Sequence, residues 1–160
     1  MFKNPVFPNL PILLVEESVF VRRTVRSMLE QSGLRHVIEA EDGTDALNRL
    51  TQFKPSLILL DWEVSGVSAA QILGLLRDPS RSTETCVPVI IMSATPTRKL
   101  VEIAAESSVR HILRKPFSPK ALWQRIAEFI PTIEAVEPRA DKPFSSTPEV
   151  NPWKAAGVAG

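Results

Sequence analysis

Ser56-Leu57-Ile58-Leu59-Leu60-Asp61-Trp62 sets four consecutive aliphatic residues directly before a carboxylate and an indole. A run so short and so apolar, entered through Pro55, reads as a strand buried on both faces, as strands are in parallel sheets. Open α/β sheets bind their ligands in the crevice outside the carboxyl ends of the strands. Asp61 therefore stands where chemistry is expected and is the candidate reactive centre.

Toward the N-terminus, Ile12-Leu13-Leu14-Val15 is a second buried-strand signal, and it also stops on acids, Glu16 and Glu17. Ser18 can cap the helix that follows, in which Val21, Val25 and Met28 keep helical spacing until Gly33 offers a left-handed stop. His36 to Glu39 is a short strand. Glu41-Asp42-Gly43 then turns the chain into a helix with Ala46, Leu47, Leu50 and Phe53 as its apolar positions, closed by Pro55.

Beyond Asp61, a loop of small polar residues through Gly66 leads to a helix over Ala69 to Arg77, where Ile72, Leu73, Leu75 and Leu76 are apolar. Pro88 precedes a fourth buried strand, Val89 to Met92, which ends on Ser93-Ala94. Thr95-Pro96 signals a helix start, with Leu100, Ile103 and Ala104 facing inward. Arg110 to Arg114 is a fifth strand, stopping on Lys115-Pro116, and Ser118-Pro119 opens a last helix with Leu122, Ile126 and Phe129 on one face. Strict alternation of strand and helix predicts an α/β fold: a doubly wound, five-stranded parallel sheet with right-handed crossovers and helices on both faces.

The 160 residues suffice for one well-buried domain. The expected division is an irregular segment over 1–10, the domain over 11–130, and a Pro-rich flexible tail over 131–160, in which prolines recur at 131, 138, 143, 148 and 152. Phe144 and Trp153 are isolated apolar groups in that tail, either docking elements or incidental. A net charge of +1 carries no footprint for DNA or an anionic membrane. No apolar run approaches the roughly 20 residues needed to cross a bilayer, and no secretory leader is visible. Cys86 is the single cysteine, which excludes an internal disulfide framework; with these features a cytoplasmic protein is expected.

Winding of this kind brings the ends of strands one, three, four and five to one edge, so Glu16, Glu17, Asp61, Ser93 and Lys115 should converge. Clustered carboxylates suit a hard divalent ion such as Mg²⁺. With the lysine and the hydroxyl, such an ion would neutralise phosphoryl oxygens on a carboxylate nucleophile, and Asp61 is that nucleophile. Other polar groups have plainer readings. Asp42 and Asp45 are a helix cap and a first-turn acid, and His36 and His111 are structural or exposed, since no partner lies at zinc-ligand spacing. Cys86 reads as a small apolar residue, and Trp62 as a rim aromatic and an optical reporter.

The acidic pair Glu16-Glu17, Asp61-Trp62, Ser93-Ala94 and Lys115-Pro116-Phe117, in this order on these strand ends, resemble the CheY-like receiver domains of two-component response regulators. Val21 to Arg26 and Ala40 to Asn48 add to the resemblance, which spans residues 11–130. It implies a flavodoxin-like fold, Asp61 as phosphoacceptor, and Mg²⁺ held by Glu16, Glu17, Asp61 and the backbone carbonyl of Glu63. It further implies Ser93 as switch hydroxyl, Lys115 as phosphate-contacting lysine before a cis peptide bond, and Ile112 at a switch position often aromatic in the family. Such a protein is not an enzyme in the ordinary sense. It takes phosphate from a histidine kinase or phosphotransfer protein and signals, here as a stand-alone regulator, through an unknown output protein at the surface of helix four, strand five and helix five.

The chain departs from the pattern in its Glu-Glu pair and in Glu63, an added negative group near the acceptor. These departures leave open a degenerate receiver acting as a binding module, with Arg98, Lys99, Arg110, His111 and Arg114 as a basic face for a nucleotide or acidic partner. A small hydrolase using the acid cluster is the third class.

Overall fold

Alternating residues of the central strands point to opposite sides of the sheet, and each side is closed by its own set of helices. The computed structural model describes residues 10–80 and 87–136, so Cys86, Phe144 and Trp153 lie outside the described residues. Among these, β1 (Ile12–Val15), α1 (Val19–Gln31), β2 (Val37–Ala40), α2 (Gly43–Gln52), β3 (Leu57–Asp61), α3 (Ala69–Leu76), β4 (Val89–Ser93), α4 (Arg98–Glu106), β5 (His111–Arg114) and α5 (Pro119–Val136) follow in sequence. All strand pairs are parallel, in the order β2-β1-β3-β4-β5. The doubly wound parallel sheet expected from the sequence is the observed one.

Leu13, Val15, Ile58, Leu60, Val89 and Ile91 pack with Ala46 and Leu47 of α2, Ile72 and Leu73 of α3 and Leu100 and Ala104 of α4. Ile12, Leu14, Leu57, Leu59, Ile90 and Met92 pack on the other side with Val25 and Leu29 of α1 and Leu122 and Ile126 of α5. This period-two split explains why β1, β3 and β4 are buried at every position and apolar up to the polar residues Asp61 and Ser93 that end β3 and β4: both faces are covered. Burial of one such leucine contributes about 2 kcal/mol.

The helix ends have local causes. Ser18, Asp42, Ser68 and Thr97 cap α1 to α4, each accepting a backbone N–H three residues on. Helix α1 stops where Gly33 takes φ 88°, with Leu34 N–H donating to the Leu29 carbonyl and Gly33 N–H to that of Glu30. Gly43 answers a different need. A Cβ there would lie 1.6 Å from the Val67 carbonyl oxygen, so only glycine lets the start of α2 touch the loop after β3.

Several boundaries differ from expectation. Strand β2 begins at Val37 and β5 at His111, each one residue later than expected. Helix α4 begins at Arg98 rather than at Pro96, because Thr97 supplies the capping oxygen and Pro96 precedes the cap. Helix α5 continues to Val136, through Pro131, where the sequence reading ended it. An interior proline costs a helix one backbone hydrogen bond and crowds the carbonyl four residues back, yet α5 runs through Pro131. Phe53 is the C-cap of α2 with extended φ and is 40% exposed, so it leaves the apolar face it was assigned to.

Candidate functional site

Strand register brings the polar strand ends together. Val15 pairs with Leu60, so Glu16 and Asp61 follow in step; Asp61 pairs with Met92 and Ser93 with Arg114, so Ser93 and Lys115 close the same rim. Glu16, Asp61 and Ser93 are the buried polar residues of the described chain, each 3% exposed or less.

Lys115 Nζ donates to Glu16 Oε2 at 2.9 Å and to Asp61 Oδ1 at 3.0 Å. Burial alone would lower the Lys115 pKa, but its hydrogen bonds to Glu16 and Asp61 and their charges outweigh that and hold it above the ordinary lysine value. Asp61 Oδ1 also accepts the Glu63 N–H at 3.2 Å, and Glu16 Oε1 accepts that of Ser18 at 3.2 Å. The Lys115 backbone N–H donates to the Ser93 carbonyl at 2.8 Å, which ties the lysine to the end of β4. The Lys115-Pro116 bond is cis.

The remaining acids point elsewhere. Glu17 is exposed and accepts from Ser65 Oγ at 2.9 Å. Glu63 accepts the Ser93 hydroxyl at 2.6 Å and has no contact to Lys115 of the kind Glu16 and Asp61 make. Among the described residues no group of three or more His, Cys, Asp and Glu side chains is gathered for a cation. Even so, the donor chemistry fits a hard divalent ion: Glu16 and Asp61 are buried, oxygen-only, and share a single ammonium, which leaves an uncompensated negative charge at the rim.

Three participants escaped the sequence reading. Arg22, one turn into α1, donates from Nη1 to the Glu16 carbonyl at 2.7 Å and to that of Glu17 at 3.5 Å, fixing the backbone of the acidic pair. A cation six residues past Glu16 on the helix face that meets the acidic loop was the available signal. Ser65 engages Glu17, and Thr95 N–H donates to Ser93 Oγ at 3.2 Å; nothing in a one-dimensional pattern marks either.

Elsewhere the plainer readings hold. Asp42 Oδ1 caps α2 through the Asp45 N–H at 2.7 Å, and Asp45 pairs with Arg49 at 3.4 Å. His36 is exposed, while His111 meets Glu128 at 2.8 Å and the edge of Phe129 at 5.1 Å between ring centroids. Of the basic face, Arg98 pairs with Glu102 at 3.1 Å, and Lys99, Arg110 and Arg114 are exposed. Ile112 and Trp62 are half-buried against the face closed by α2, α3 and α4.

Comparison with known proteins gives the same frame. The family model described as response regulator receiver domain matches residues 12–127. The phosphate regulon transcriptional regulatory proteins PhoB of Klebsiella pneumoniae and Escherichia coli (strain K12) are each 37% identical over 115 residues, covering 72% of this chain and 49% of the relative. The chain thus spans about half the length of these curated relatives. Among solved structures, the Vibrio cholerae chemotaxis protein CheY4 superposes with TM-score 0.65 at 20% identity, covering 74% of this chain and 96% of that one. The Francisella response regulator 1452 receiver domain gives 0.67 at 22% identity, covering 81% and 100%.

Proposed function

We propose, from the premise that this chain belongs to the response regulator receiver domain family, that Asp61 accepts a phosphoryl group from the phosphohistidine of a histidine kinase or phosphotransfer protein. The contact that carries this reading is Lys115 Nζ on Asp61 Oδ1 at 3.0 Å, an ammonium held against a buried carboxylate at the sheet rim. An Asp61 carboxylate oxygen attacks phosphorus, the O–P bond forms as the P–N bond breaks, and the departing imidazole keeps the electron pair and takes a proton. Lys115 offsets charge on the phosphoryl oxygens, and the Ser93 hydroxyl donates to one of them. Glu16, Asp61 and the Glu63 carbonyl would hold Mg²⁺, joined by Glu17 once it releases Ser65, and the bound ion would supply further positive charge to the same oxygens.

The engaged Ser93 moves the end of β4, and Ile112 on neighbouring β5 adjusts with it. Output follows by protein contact at the surface of α4, β5 and α5, where Lys99, Arg110 and Arg114 are exposed. A cytoplasmic location belongs to this reading, and among the described residues no helix is long and apolar enough to cross a membrane.

Beryllofluoride, a phosphoryl mimic, provides the test. With Mg²⁺ it is expected to change the fluorescence of the full chain, with Trp62→Phe removing the change and Asp61→Asn abolishing it. A flat titration in the wild type would instead favour a binding module that no longer takes phosphate.

A further inference from the structure

Ser93 Oγ has one proton to give, and in this structure it gives it to Glu63 Oε1 at 2.6 Å, the length of a charge-assisted O–H···O⁻ bond. The hydroxyl oxygen meanwhile accepts the Thr95 N–H at 3.2 Å. Ser93 is fully buried, so water does not share the proton, whereas Glu63 lies at the exposed lip of the rim. Glu63 is also tethered through its backbone, its N–H donating to Asp61 Oδ1 at 3.2 Å, so the carboxylate stays beside the acceptor. Lys115 does not draw it away, because its ammonium is committed to Glu16 and Asp61.

From this arrangement we propose that Glu63 is a positioning residue that competes with the phosphoryl group for the Ser93 hydroxyl proton, holding the unmodified state until phosphate displaces it. The proposal rests on the phosphoacceptor reading of Asp61. A phosphoryl oxygen can be served by Ser93 only after the bond to Glu63 breaks, and whatever that bond contributes is subtracted from the stability of the phosphorylated form. The competition differs from simple repulsion between Glu63 and phosphate. Repulsion acts whether or not residue 93 carries a hydroxyl; competition for a proton vanishes with it.

A double-mutant cycle separates the two. Beryllofluoride affinity of the full chain is read from Trp62 fluorescence at fixed Mg²⁺ for the wild type, Glu63→Ala, Ser93→Ala and the double variant, with Mg²⁺ alone as control. Glu63→Ala is expected to bind the mimic roughly fivefold more tightly, a charge-assisted bond at a partly wet site being of that order. In the Ser93→Ala background the same substitution should change affinity by less than about twofold. Glu63→Gln, which keeps an acceptor oxygen without the charge, should fall between wild type and Glu63→Ala. Without mimic, Glu63→Ala should shift the amide resonances of Ser93 and Thr95. A gain of equal size in both backgrounds, or unmoved Ser93 and Thr95 resonances, overturns the competition while leaving Asp61 as acceptor. A wild type that gives no response at all removes the acceptor reading, and the competition with it.

Discussion

Glu16 and Asp61 share one ammonium, so substitutions on the two sides of that contact should act in opposite directions. Asp61→Asn relieves a buried like-charge pair and is expected to raise the urea midpoint, whereas Lys115→Met leaves two buried carboxylates facing each other and should lower it. The sign of the pH dependence follows from the raised Lys115 pKa. A group held above its unfolded value stabilises fully below that value and loses the contribution as pH climbs through the folded one. In buffer without divalent ions, the gap between wild type and Lys115→Met should therefore be constant through neutral pH and, on the alkaline limb, narrow as pH climbs past 10.5. A gap that narrows between about pH 6 and 8 would mean that another group governs it. At this scale the sequence told most of the residues that meet but not how they bond: Glu17, expected at the rim, turns to Ser65 instead. Glu16, Asp61, Ser93 and Lys115 were legible because strand ends are fixed by apolar runs, while the Glu63 to Ser93 and Glu17 to Ser65 bonds depend on side-chain directions in loops.

Two glycines separate conformational demand from spatial demand in the elements. Gly33, at φ 88° with nothing within 4 Å of an added Cβ, should tolerate alanine at a cost of about 1–2 kcal/mol in urea unfolding, from backbone strain alone. Gly43→Ala should cost more, since its Cβ must displace the backbone at Val67; equal losses for the two would contradict the packed contact between α2 and the loop after β3. That loop carries Glu63, so Gly43→Ala should also disturb the Ser93 amide resonance. Central strands β1, β3 and β4 could be read from unbroken aliphatic runs, because burial on both faces leaves no polar position to blur them. The edge strands β2 and β5 carry polar residues and slipped by one. Proline misled at Pro96 and Pro131, where a missing N–H was read as fixing a boundary that a capping threonine and continued helix overrode.

Across the whole molecule, the sheet's order predicts its order of opening. Amides of β1, β3 and β4, flanked by strands on both sides, should exchange most slowly, with β2 and β5 faster as sheet edges. Two helical layers on one sheet also mean that the rim is assembled only when the full domain folds, since Glu16, Asp61, Ser93 and Lys115 come from four different strand ends. The chemistry assigned to that rim is tested most directly by mass. On incubation with Mg²⁺ and a small-molecule phosphodonor, the wild type is predicted to gain the mass of one phosphoryl group, with reductive trapping of the acyl phosphate locating it at Asp61 and Asp61→Asn gaining none. A wild type that gains no phosphoryl group, or one whose phosphoryl group persists in Asp61→Asn, would contradict the account.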